Sequence, residues 1–287
     1  MKYAFFVGCT TLGRLPGYEK ATRKLCEKLG VELIDMPGSS CCGTTYMESL
    51  DEVAALSLAA RNICIAEEMG LNILTICNGC TETLTKANAT LKQDQKQLDK
   101  VNKILKEIGR EFRGTVEVKH LIRVLKEDYG LDKLEKAVTS PYKNLRVATH
   151  YGCHLLRPSD VMRFDDPNIP TSMDDLIEAT GATSVPYPDK MECCGGPIMG
   201  IREDVTWSIG LDKTNTVKKY AEALITSCPF CYLTYERAQL MKESKPDLPI
   251  IHLPQLLGIS LGLSGEDVGL SYNKIDSEFL KTKQQGA

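Results

Sequence analysis

Long apolar runs are missing from this chain. Nothing approaches the roughly 18 residues that a membrane span requires, and the opening stretch, residues 3–8, is too short and too soon polar for a secretory leader. An excess of one charge is missing too. Lys and Arg total 35 against 38 Asp and Glu, a net charge of -3, so no basic field exists to hold a nucleic-acid backbone. The expected setting is the cytoplasm, without a membrane or nucleic-acid partner. There thiols stay reduced, which argues against a disulfide framework and turns abundant cysteine toward metal or redox work. No C-x2-C-x2-C-x3-C-P run and no flavin-binding signature occurs either.

What the chain does have is cysteine, twelve in 287 residues, and ten of them form one pattern written twice. The first copy is Cys9, the pair Cys41-Cys42 before Gly43, and Cys77 with Cys80 as a C-x-x-C. The second is Cys153, the pair Cys193-Cys194 before Gly195, and Cys228 with Cys231. Spacers of 31 and 39 residues precede the pairs, and 34 and 33 follow them, which points to duplication. Leu29-Gly30-Val31 answers Thr180-Gly181-Ala182, and His120-Leu121 answers His252-Leu253.

Each half alternates short apolar runs with amphipathic stretches, the pattern of an α/β fold with a mostly parallel sheet and covering helices. Strands are expected at 3–8, 31–36, 72–76 and 115–119, then at 145–150, 182–187, 223–226 and 250–253. With Pro141 in an expected linker at 139–144, the domains are expected to be 1–140 and 141–287. Cys9, Cys77, Cys153 and Cys228 then fall where strands end, the edge at which open α/β sheets bind ligands. Cys80 and Cys231 fall in the first turn of the following helix, where unpaired N–H groups favour a thiolate.

Two chemistries fit this pattern. Four thiolates make a closed zinc site. Each half supplies five, however, and two adjacent cysteines do not readily face one small ion, whereas a polynuclear iron–sulfur cluster offers several irons. Spacing alone leaves one sulfur over and leaves zinc in one half open.

The motifs Gly8-Cys9, Cys41-Cys42-Gly43, Cys77-Asn78-Gly79-Cys80, Gly152-Cys153-His154, Cys193-Cys194-Gly195-Gly196 and Cys228-Pro229-Phe230-Cys231 carry a resemblance across nearly the whole chain. The sequence resembles CCG-domain iron–sulfur proteins, and among these the B subunits of heterodisulfide reductase. The resemblance implies one noncubane [4Fe-4S] cluster per motif, held by all five cysteines, and two-electron reduction of the mixed disulfide of coenzyme M and coenzyme B in methanogenesis. It also implies partners: a ferredoxin-like C subunit and, through it, a flavin-containing A subunit. The same signature occurs in electron-relay subunits of lactate, glycolate, succinate and thiol:fumarate oxidoreductases, which stand as the alternative.

Disulfide reduction consumes two protons, and His154, beside Cys153, is the expected donor. Arg14, Arg157 and Lys213 are expected to meet the anionic groups of such a substrate. Cys26 and Cys64 lie on apolar helical stripes and read as core. Residues 81–109 read as one long helix with a leucine heptad, and the segment from Gly262 as a polar tail ordered by a partner.

Overall fold

The computed structural model describes residues 1–241 and 247–284. All eight expected strands are present, most shortened at one or both ends. They are β1 (Lys2–Phe6), β2 (Glu32–Asp35), β3 (Ile73–Thr75), β4 (Val118–His120), β5 (Arg146–His150), β6 (Thr183–Ser184), β7 (Ala223–Thr226) and β8 (Ile250–His252). They form two all-parallel sheets of four, ordered β2-β1-β3-β4 and β6-β5-β7-β8. β1, β3, β5 and β7 are central and almost wholly buried on both faces, so their burial does not alternate along the strand. The registers match. Phe6, Thr75 and His120 form one row across the first sheet, and His150, Thr226 and His252 the equivalent row across the second.

The compact units do not follow the duplication end to end. One comprises Met1–Cys9, Val31–Leu121 and His154–Phe164, and the other holds Thr10–Gly30, Ile122–Cys153 and the chain from Asp165 onward. The sequence boundary at residue 140 is therefore crossed in both directions. In the first unit, the helix Ser159–Met162 packs on the helix Asn78–Gln93. In the second, the helix Pro16–Lys28 packs on Leu253–Ser260. Tyr18 anchors that contact: its ring stacks 3.9 Å from His252, and its hydroxyl donates to the Ser227 carbonyl at 2.9 Å. Gly17 allows the approach, since a Cβ there would lie 2.9 Å from the Gly269 carbonyl oxygen.

Two expectations are corrected. Residues 81–109 are not one helix, because the chain breaks at Asp94 between Asn78–Gln93 and Gln95–Lys106. Asp94 takes extended angles and its carboxylate accepts from the N–H groups of Lys96 and Gln97, a local alternative to continuing the helix. The second helix then buries Val101 and Leu105 in its own unit, on the helix Glu52–Met69. Nor is the segment from Gly262 a free tail: Val268, Leu270, Ile275 and Leu280 are buried. Its last three residues lie outside the described part.

Candidate metal centres

Each sheet reverses its strand order between its two central strands, and the crevice beyond their carboxyl ends is where this architecture places a ligand. In the first unit, β1 leads to Cys9 and β3 to Cys77; in the second, β5 leads to Cys153 and β7 to Cys228. Cys77 and Cys228 precede the first helical residue in extended conformation, so Cys80 and Cys231 sit in the opening turn of Asn78–Gln93 and Pro229–Leu240. The Cys-Cys-Gly loops follow β2 and β6. The structure thus gathers each five-cysteine set in one unit: Cys9, Cys41, Cys42, Cys77 and Cys80, and Cys153, Cys193, Cys194, Cys228 and Cys231.

In the first set the sulfurs of Cys9 and Cys41 are 4.0 Å apart and those of Cys42 and Cys80 3.6 Å. The Gly43 N–H points at Cys41 Sγ at 3.4 Å, and Gly43 holds φ at +97°, where a side chain is strained. Gly8, at φ +82°, keeps the floor open, because a Cβ there would stand 3.2 Å from Cys80 Sγ. Buried Asn62 pins the loop, accepting from the Ser40 N–H at 2.9 Å and donating to the Cys41 carbonyl at 3.3 Å. Cys42 accepts from Cys41 and Cys80, which draws its thiol down to about 4, while the Cys80 thiol is driven well up by its neighbours Cys42 and Cys77 and by burial.

The second set repeats the loop. The N–H groups of Gly195 and Gly196 point at the sulfurs of Cys193 and Cys194, each at 3.3 Å. Cys193 collects donors from Cys153 and Cys194 and falls to about 2; Cys153 is pushed up by its bond to Cys193, and Cys194 rises to about 12 with Cys193 as the leading cause. Sulfurs drawn together closely enough to share protons, with backbone N–H groups aimed at them, are the donor set a thiolate-ligated metal centre requires. In both sets the sulfurs of the adjacent pair reach each other and each has a further partner outside the pair, Cys9 and Cys80 in the first and Cys153 and Cys231 in the second, which suits a group with several metal atoms.

Among the other expected site residues, His154 lies in the first unit although Cys153 belongs to the second. Its Nδ1 is 3.9 Å from Glu82 Oε2. Glu82, only 3% exposed and two residues after Cys80, has its carboxyl pushed up by burial, opposed by the nearby His154. Sequence reasoning missed Glu82, a lone carboxylate that the fold buries beside His154. Arg14, at the end of the helix Cys9–Arg14, and Arg157 are exposed. Lys213 is different. It is 4% exposed, its ammonium donates to the Asp189 carbonyl and sits 5.5 Å from the centre of the Tyr187 ring.

His150 ends β5, and the fold gives it a chemical neighbourhood. One of its ring nitrogens and the sulfurs of Cys194 and Cys231 lie within 4.8 Å of one another. Burial holds this imidazole neutral, down to about 3. Cys26 and Cys64 are buried as expected, and burial pushes both thiols up to about 12.

The pattern of the cysteine-rich CCG domain matches residues 3–85 and 147–236. The chain is 40% identical to the B subunit of the ferredoxin:CoB-CoM heterodisulfide reductase of Methanosarcina mazei, over 97% of this chain and 96% of that protein. It is 34% identical to the 8-methylmenaquinol:fumarate reductase membrane anchor subunit of Wolinella succinogenes, over 96% and 98%. Among the described residues, no helix here is long and apolar enough to cross a membrane. A hypothetical protein of Helicobacter pylori shares the fold, with a TM-score of 0.73 at 16% identity, over 96% of this chain and 52% of that one, so this chain spans about half its length. The chain therefore belongs to the cysteine-rich CCG domain family, with the B subunits of heterodisulfide reductase among its relatives.

Proposed function

We propose that this oxidoreductase chain is the catalytic subunit of a heterodisulfide reductase, reducing the mixed disulfide of coenzyme M and coenzyme B to the two thiols in methanogenesis. The observation that carries this reading is that both five-cysteine sets are complete and each converges at the switch point of its own sheet. Each set is proposed to hold one noncubane [4Fe-4S] cluster, which supplies electrons when bound.

The chain's own residues have separate tasks. The paired glycine N–H groups hold the sulfurs, and Asn62 fixes the loop that carries Cys41 and Cys42. Two protons are consumed for each disulfide opened. His154 is proposed to deliver one, with Glu82 at 3.9 Å orienting its ring. Arg14 and Arg157 are proposed to meet the sulfonate, carboxylate or phosphate groups of the substrate. Lys213, the third expected cation, is already engaged by the Asp189 carbonyl, so its proposed part is the positive charge it brings to the site. Electrons are proposed to arrive from a ferredoxin-like C subunit and, behind it, a flavin-containing A subunit.

The Wolinella relative supports a second reading, an electron-relay subunit serving a dehydrogenase or fumarate reductase. One experiment separates the two. Anaerobically purified protein is assayed for iron, zinc and acid-labile sulfide, then for oxidation of reduced viologen by the heterodisulfide. Two clusters of four irons, about eight irons, with disulfide-dependent turnover support the reductase. The same iron without turnover selects the relay, and about four irons with one zinc leave a single redox centre.

A further inference from the structure

The two sites share a backbone plan but not a charge environment. Phe6 and His150 hold the same register position beside Thr75 and Thr226, each three residues before the first cysteine of its set. Leu84 and Tyr235 each stand four residues after the last cysteine, and Asn62 and Lys213 each stand fifteen residues before the C-x-x-C. In the first site these are two apolar side chains and a neutral amide. In the second they are an imidazole, a phenol and an ammonium, all at least 96% buried. The second set also works together: the Tyr235 hydroxyl lies 3.2 Å from a ring nitrogen of His150, and the Lys213 ammonium acts on the same imidazole.

A buried cation beside a thiolate-held redox group favours the added electron, because the interior screens it little. The carboxylates that act on Lys213, those of Asp189 and Glu192, are exposed, so solvent weakens their offset. His150 also faces the Lys190 backbone carbonyl. The Tyr235 hydroxyl lies within 3.3 Å of both ring nitrogens of this imidazole. The first site differs in the opposite direction: it has Glu82 where the second has Leu233, each two residues after the last cysteine. A carboxyl group there adds either nothing or negative charge, the latter offset in part by the more exposed His154 and Lys86.

We propose that Lys213, supported by His150 and Tyr235, sets the second cysteine site at a higher reduction potential than the first, so that the first electron to enter the chain resides at the second site. This rests on the reading that each set holds an iron–sulfur cluster. The step is one electron from a low-potential one-electron donor, which is oxidised, to one site, which is reduced. Lys213 and His150 are positioning residues in it, since neither is proposed to touch substrate.

The test is a redox titration of the loaded protein with dithionite and mediators, followed by electron paramagnetic resonance. Wild type should show two one-electron waves at different potentials, the upper one disappearing in the Cys193→Ser/Cys194→Ser variant. Lys213→Asn, which installs the first site's residue, should lower the upper wave by about tenfold in the reduction equilibrium, about 59 mV for one electron, and leave the lower wave in place. Lys213→Arg should restore it. His150→Phe should shift the same wave in the same direction by less, and serves alone if Lys213→Asn does not fold. Coincident waves in wild type, an unmoved upper wave in a fully iron-loaded variant, or failure of the arginine rescue each overturn the proposal. So does loss of second-site iron in both variants, because the side chains then serve only as structure. Wild type with iron and sulfide for fewer than two clusters overturns the underlying reading instead.

Discussion

At matching positions of the two copies, the first has buried Phe6, Leu84 and Asn62, and the second buried His150, Tyr235 and Lys213. Their backbones agree down to the strand register and the glycine N–H aimed at the first sulfur of each pair, at 3.4 Å in one and 3.3 Å in the other. Duplication therefore preserved what places the sulfurs and let the surroundings diverge. Placement is a backbone property, fixed by strand ends, helix starts and left-handed glycines. Electron affinity is a side-chain property, open to change without moving a ligand.

The largest expected effect comes from removing one site. Cys193→Ser/Cys194→Ser should reduce iron from about eight to about four atoms per chain and abolish disulfide-dependent turnover. The first site should keep its own iron; loss of all iron would show that the sites do not assemble separately.

Acid should distinguish the sheets next. His150 and His252 are held near 3 by burial, against 6.5 for an exposed imidazole. The unfolded chain therefore binds more protons than the folded chain between about pH 6.5 and 3, so stability is full above 6.5 and falls as pH drops through that window. The first sheet has Phe6 in the place of His150 and buried His120 in the place of His252, so the contrast between the sheets rests on His150. Denaturant midpoints measured at pH 7.5 and 5 should lie far apart in the wild type and closer in His252→Phe. An unchanged gap would remove His252 from the acid response.

Smaller effects probe the loops. Asn62→Ala strands the Ser40 N–H and should cost ~1–3 kcal/mol, with iron lost from the first site while the second keeps its own. Gly8→Ala places a Cβ at φ +82° and 3.2 Å from Cys80 Sγ. It should cost ~1–2 kcal/mol, read as a lower melting temperature and a slower iron reconstitution of the first site. Smallest is Asp94→Ala, which removes the cap between two helices remote from the contrast and should cost about 1 kcal/mol without altering iron content.

Much of this was legible before the fold. Short apolar runs bounded by turn residues marked the strands, the central ones most clearly, because parallel strands covered on both faces need side chains that can be buried on both. The cysteine spacing marked both sites, since the ligands lie at strand ends and helix starts, which local sequence sets. The helix break at Asp94 was hidden, because leucines seven apart look the same through a cap as through a turn. Glu82 was hidden for a different reason: a lone carboxylate in a helix reads as a solvated charge, and only packing shows that it is buried beside His154.

The sequence by itself determined the two α/β sheets, the ten cysteines and their division into two sets of five, because these follow from hydrophobic periodicity and local turn chemistry. Tertiary structure alone decided which chain segments share a unit, with the helix Pro16–Lys28 grouped with the second sheet and His154 with the first. It alone brought His150 among the sulfurs and buried the Lys213 ammonium. The reason is physical: burial and charge environment belong to groups far apart along the chain, and no local spacing encodes the dielectric in which a side chain will sit.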